Sequence, residues 1–102
     1  MSRVYGYCRL ALANEEIMAH QRQEIEDYCK NNDLKVDAYF CDNGVSGLTK
    51  NREYLQSMLK GLCEGDIVII TNHARLSRGL HQYLDITKEI YASGAVLKII
   101  NE

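Results

Sequence analysis

The run Ile67-Val68-Ile69-Ile70-Thr71 constrains this chain more than any other segment. Four aliphatic residues in succession leave no polar face, so a strand built from them has to be covered on both sides. Sheets covered on both faces are made of parallel strands, and parallel strands require crossover helices. The surrounding sequence has that alternation. Val4-Tyr5-Gly6-Tyr7-Cys8 reads as a first strand, residues 36–41 as a second, 67–71 as the third and 96–100 as a fourth. Asn14 is placed to cap a first helix, with Glu15 and Glu16 at the positive end of its dipole. That helix extends to about Lys30, with Ile17, Gln21, Ile25, Tyr28 and Cys29 on one face. A second helix over 52–63 puts Tyr54, Leu55, Met58, Leu59 and Leu62 at helical spacing. A third carries Leu80, Tyr83, Leu84, Thr87, Ile90 and Tyr91 on one stripe and is stopped by Gly94. The expected fold class is α/β: a three-layer αβα sandwich on a mainly parallel four-stranded sheet in the order βαβαβαβ.

Residues 1–102 read as a single domain, since the chain has no repeat, linker or low-complexity stretch, and it holds no proline. No apolar run approaches the roughly 20 residues of a membrane span, and no signal peptide opens the chain. Cys8, Cys29, Cys41 and Cys63 form no Cys-x-x-Cys pair, and His20, His73 and His81 have no partners at zinc-ligand spacing. The reading is reduced thiols in an intracellular protein, with no metal and no cofactor.

Twelve basic residues against fourteen acidic give a net charge of −2, so bulk charge does not draw this chain to nucleic acid. A local cluster would have to do so. In an open parallel sheet, ligands bind beyond the carboxyl ends of the strands. Arg9 and Ala11 follow the first strand there, Asp42 and Ser46 the second, and Arg75 and Arg78 the third, while Arg52 opens the second helix. No acid lies between Asp66 and Asp85. Arg75 and Arg78, three apart, are neighbours on one face if their segment is helical. Four guanidinium forks converging on one rim would suit a phosphate. Each residue also has a plainer account. Arg9 would pair with Asp42 across adjacent strand ends, Arg52 would be a solvated helix-start residue, and Arg75 and Arg78 would be surface charges on a helix. The glycine-hinged loop from Asp42 to Asn51 would be a long turn with Ser46 as a turn former, and His73 and His81 would be surface residues.

The motifs, in their order, resemble the N-terminal catalytic domain of serine recombinases, the resolvase and invertase family. Tyr7-Cys8-Arg9-Leu10-Ala11 is similar to the opening motif, which ends in the nucleophilic Ser. Phe40-Cys41-Asp42-Asn43-Gly44-Val45-Ser46-Gly47 resembles the Asp-x-Gly-Ile/Val-Ser-Gly loop, and Asn51-Arg52 with its helix the Arg and helix that follow. Glu64-Gly65-Asp66 matches the approach to the third strand, and Arg75-Leu76-Ser77-Arg78 the Asp-Arg-Leu-Ser/Gly-Arg motif. The resemblance implies site-specific recombination of DNA, of the kind that serves transposon resolution, inversion and integration. A Ser hydroxyl attacks a phosphodiester to form a 5′-phosphoserine link. Arginines at the positions of Arg9, Arg52, Arg75 and Arg78 stabilise the five-coordinate phosphorus without a metal, and Asp42 orients them. It further implies DNA as partner, a homo-oligomer (dimer, then tetramer) where the family's later helices are present, no membrane, and a cytoplasmic location.

Two departures touch the chemistry. Ala11 stands at the nucleophile position and has no hydroxyl, and Ala74 stands where the family has Asp. Glu15 stands in place of a Gln shortly after the nucleophile, or that position is displaced by a one-residue shift, and Gln21 matches a later one. Set against the family, the chain reads as truncated before the later helices and the separate DNA-binding domain. The expectation is a recombinase-type domain inactive as written, with Ser46 and Ser77 as nearby hydroxyls on other loops. The alternative is a non-catalytic module that binds DNA phosphate or pairs with an active recombinase. A phosphate-dependent α/β module unrelated to DNA ranks last, because the chain lacks a Gly-x-Gly-x-x-Gly or Gly-Lys-Ser/Thr loop.

Overall fold

The structure is a computed structural model, and it describes residues 2–48 and 52–101. Thr49, Lys50 and Asn51 of the glycine-hinged loop therefore lie outside the described residues, as do Met1 and Glu102. Four strands, β1 (Val4–Leu10), β2 (Ala38–Asn43), β3 (Ile67–Ile70) and β4 (Val96–Ile99), alternate with three helices, α1 (Glu15–Asn31), α2 (Glu53–Gly61) and α3 (Leu80–Ala92). All strand pairs are parallel, in the order β2-β1-β3-β4. The α/β expectation holds, with strand boundaries shifted: β2 starts and ends two residues later than the 36–41 run suggests, and β3 and β4 each stop one residue early.

Alternation along β1 and β3 divides the core into two layers. Tyr5, Tyr7, Val68 and Ile70 face α2 and α3, packing with Leu55, Met58, Leu59, Ile86 and Ile90. Val4, Cys8 and Ile69 face α1, packing with Met18, Ile25 and Cys29. Val68, Ile69 and Ile70 are fully buried, as a strand covered on both faces requires. Two helix faces differ from expectation. On α1, Met18 is buried and Ile17 is half exposed. On α3, Ile86 and Ile90 form the buried stripe, whereas Leu80, Leu84 and Tyr91 point outward. Both helices carry more apolar residues than one face can hold, and the sheet selects the set one position round.

The helix ends follow local chemistry. The Asn14 side chain accepts from the Ile17 N–H at 3.0 Å, capping α1 as expected. Gly94 follows α3 with φ +89°, and a Cβ there would lie 2.8 Å from the Glu64 Cα. Both the left-handed backbone and the clash with main chain oppose a side chain at this position. Gly94→Ala is expected to cost about 2 kcal/mol, read as a lower urea midpoint with an unchanged m-value. A loss under a few tenths would contradict this reading of the turn.

Candidate functional site

The chain passes from β1 outward to β2, then returns across β1 to β3, so the connections diverge between β1 and β3. In open α/β sheets this point, at the carboxyl ends of the strands, is where a crevice forms. Arg9 lies near the end of β1 and continues the Tyr5, Tyr7 row. A single 3-10 turn, His73–Arg75, leaves the end of β3, capped by the Asn72 side chain on the Ala74 N–H. Arg9 bridges the two elements. Its Nε donates to the Arg75 carbonyl at 3.1 Å and its Nη2 to the Ala74 carbonyl at 2.6 Å, while Nη1 donates to the Val45 carbonyl at 3.0 Å. Arg75 reciprocates, with Nη1 donating to the Arg9 carbonyl at 2.6 Å.

Arg52 joins them from the N-terminal end of α2. It is fully buried, not the solvated helix-start residue of the plainer account. Its Nη1 donates to the Arg75 carbonyl and the Tyr7 hydroxyl, and its Nη2 to the Gly47 carbonyl and Gln82 Oε1, all at 3.1–3.3 Å. Arg78 is exposed, and its N–H donates to the same Gly47 carbonyl. Arg75 and Arg78 do not share a regular helix: Arg75 ends the 3-10 turn and Arg78 follows it.

Gly47 is the hub, a role that no sequence signal beyond its place in the loop motif had marked. Its carbonyl accepts from Arg52, the Ser77 hydroxyl and the Arg78 N–H. A Cβ there would lie 2.8 Å from Arg9 Nη2 and 3.1 Å from Arg78 Cγ, so the guanidinium of Arg9 occupies the space a side chain would need.

Among the described residues Arg9 and Arg75 pair with no carboxylate. Carbonyl dipoles hold them instead, which engages several of their N–H groups and leaves the charge uncancelled. Burial first, then the neighbouring Arg52, Arg75 and Arg78 charges, push the Arg9 pKa below its ordinary value; burial and Arg78 do the same to Arg75. Like charges held together in low dielectric favour an incoming anion.

Asp42 does not pair with Arg9, although the two are opposite in register. Its buried carboxylate accepts from the Tyr7 hydroxyl at 2.7 Å and from the Tyr54 and Leu55 N–H groups, each at 3.1 Å. It thereby satisfies two of the free donors at the start of α2, where Arg52 offers no side-chain cap. Among the described residues, Tyr7 links Asp42 to Arg52: its hydroxyl donates to the Asp42 carboxylate and accepts from Arg52 Nη1. Burial first, aided by the Asp42 bond and charge and opposed by Arg52, pushes the Tyr7 hydroxyl well above the usual tyrosine range, so it stays protonated and donates to Asp42.

The remaining candidates take plainer places. Ala11 lies just past β1 and is exposed. The Ser46 hydroxyl accepts from the Leu48 N–H, and the buried Ser77 hydroxyl is held by Gly47, Gly79 and Gln82. Glu15 accepts from the Asn43 side chain, and Gln21 brackets the Arg9 backbone, bonding both its N–H and its carbonyl. His73 and His81 are exposed, and His73 meets the Tyr83 ring edge-on. No described helix is long and apolar enough to cross a membrane.

Known proteins share this arrangement of chain. A resolvase of Clostridium perfringens is 36% identical over 97 residues, covering 95% of this chain and 48% of that protein. The transposon Tn1546 resolvase of Enterococcus faecium is 30% identical over 100 residues, covering 98% and 48%. The chain thus spans about half the length of these curated relatives. Among solved structures, the N-terminal catalytic domain of TP901-1 integrase superposes with a TM-score of 0.87 at 19% identity, covering 97% of this chain and 78% of that one. The C-terminal catalytic domain of ISC1926 TnpA, an IS607-like serine recombinase, gives 0.86 at 23%, covering 98% and 68%. These two likenesses show the serine recombinase catalytic-domain fold. The family model of the resolvase N-terminal domain matches residues 4–102, and the chain belongs to that family.

Proposed function

We propose that this chain is a serine recombinase catalytic domain that holds a DNA phosphate in its arginine cage and does not cleave it. One observation carries the reading: Arg9, Arg52, Arg75 and Arg78 meet around the Gly47 and Arg75 backbone, at the end of the strand that Ala11 follows. In the proposed complex Arg9 and Arg75 set the floor of the site, and Arg78, exposed, is the first to meet the DNA. Arg52 braces the cage from within. Ala11 supplies no alcohol, so no phosphoserine forms. Ser46 and Ser77 do not replace it, because the Ser46 hydroxyl is held by the Leu48 N–H and the Ser77 hydroxyl by Gly47 and Gln82, and an in-line attack needs a fixed approach. Ala74 contributes only its carbonyl, to Arg9, so a carboxylate for proton transfer or arginine alignment is missing as well.

The partner in this reading is DNA, which implies a cytoplasmic location, and assembly is as a homo-oligomer through segments beyond the sheet. Residues 1–102 serve as one domain of a longer recombinase. A second reading, a non-cleaving partner of an active recombinase, draws on the same observation, since an intact cage without a nucleophile can still dock on a phosphate.

The test is a covalent trap. The unaltered chain is incubated with a pool of nicked suicide duplexes and resolved under denaturing conditions. No protein–DNA adduct is expected, and none after Ala11→Ser beyond a trace while Ala74 remains. An adduct formed by the unaltered chain would overturn the proposal.

A further inference from the structure

Cys8 and Cys41 stand directly opposite one another in the β1–β2 register, one residue before Arg9 and Asp42 respectively. Both project to the α1 side of the sheet, where Cys8 is fully buried and Cys41 is partly exposed. Adjacent strands lie about 4.8 Å apart, within the Cα separation that a disulfide can span. A third group completes the cluster: Arg22, on the facing side of α1, places Nη1 3.9 Å from Cys41 Sγ. One sulfur therefore has a thiol beside it, a guanidinium over it and a route to solvent, while its neighbour is fully buried.

The geometry points to Cys41 as an oxidisable cysteine and Cys8 as its resolving partner, a two-cysteine site that reacts with hydroperoxides. The inference is independent of the arginine cage. The Cys8 thiol and, after it, Arg22 draw the Cys41 pKa below its ordinary value, against the opposing effects of burial and the Asp42 charge. Cys8 is pushed far upward by Cys41 and by burial, and so keeps its proton. A thiolate that is partly accessible, with a protonated thiol in reach, is the arrangement that favours oxidation followed by resolution.

The chemistry closes on these atoms. The Cys41 thiolate attacks one oxygen of hydrogen peroxide; the S–O bond forms, the O–O bond breaks, and hydroxide leaves. Cys8 sulfur then attacks the Cys41 sulfenic acid; the S–S bond forms, the S–O bond breaks, and the hydroxyl leaves as water with the Cys8 proton. Two electrons pass from the sulfurs to the peroxide. The product ties β1 to β2 immediately ahead of Arg9 and Asp42.

Cys63, exposed, is the internal reference. Peptide mapping of the unaltered chain after brief iodoacetamide treatment at pH 6.5 is expected to show Cys41 labelled roughly tenfold faster than Cys63. Stoichiometric hydrogen peroxide is expected to remove the mass of two hydrogens and to yield a Cys8–Cys41 linked peptide that dithiothreitol reverses. Arg22→Gln is expected to slow Cys41 labelling several-fold and leave Cys63 unchanged. Labelling of Cys41 no faster than Cys63 would overturn the proposal, as would oxidation of Cys41 to sulfinic acid with no linked peptide.

Discussion

Asp42→Ala is expected to unfold most of this domain's stability margin, a loss of about 3–5 kcal/mol. The carboxylate is buried, and its removal strands three donors at once: the Tyr7 hydroxyl and the Tyr54 and Leu55 N–H groups at the start of α2. An exposed helix end would turn to water, but Leu55 is buried. A domain near 100 residues loses several degrees per kcal/mol, so the midpoint should fall by roughly 15 °C or more. Asp42→Asn keeps one acceptor oxygen and turns an amide N–H toward a donor, at a smaller cost of about 2 kcal/mol. A thermal melt places both. An alanine variant within 1 kcal/mol of the unaltered chain would show that Asp42 does not brace α2.

The second large effect concerns binding. Gly47→Ala is expected to weaken phosphate binding by about 2 kcal/mol, roughly thirtyfold. The new methyl meets Arg9 Nη2 and Cζ below 3 Å. A surface arginine would swing away at little cost, whereas Arg9 is fixed by three carbonyls from two elements. Relief therefore comes from moving the guanidinium out of the cage or moving the loop that carries the shared Gly47 carbonyl. Either breaks the convergence of charge with little loss of packing, so stability should change less than affinity does.

Much of this architecture was legible before any coordinates. The 67–71 run fixed a doubly covered strand, and the strand–helix alternation did the rest, since parallel neighbours admit few connections. Helix faces were less legible. Ile17 and Met18 compete for one position, as do Leu80, Leu84 and Ile86, and only the opposing sheet decides. At the site, spacing and family resemblance named the four arginines, but not what holds them. Side chains such as Arg9 were read against charged partners such as Asp42, whereas the structure uses backbone carbonyls, which every residue carries and no sequence pattern marks. Gln82 was missed for a related reason: its amide bonds Arg52 and Ser77 across a turn whose geometry depends on the end of β3. The resemblance did mark Ala11 and Ala74 as departures, because an absent functional group is visible in sequence alone.

The most direct test is the thermal midpoint of the unaltered chain titrated with inorganic phosphate against chloride at matched ionic strength, with Gly47→Ala alongside. Phosphate also stabilises folded proteins through exclusion from their surfaces, and the variant subtracts that general effect. A cage that binds the dianion should raise stability by about 1.4 kcal/mol at ten times the dissociation constant, several degrees, with the rise growing as the logarithm of phosphate concentration and largely lost in the variant. An equal rise in both proteins, proportional to phosphate concentration, would mean that the four guanidinium groups do not form an anion site.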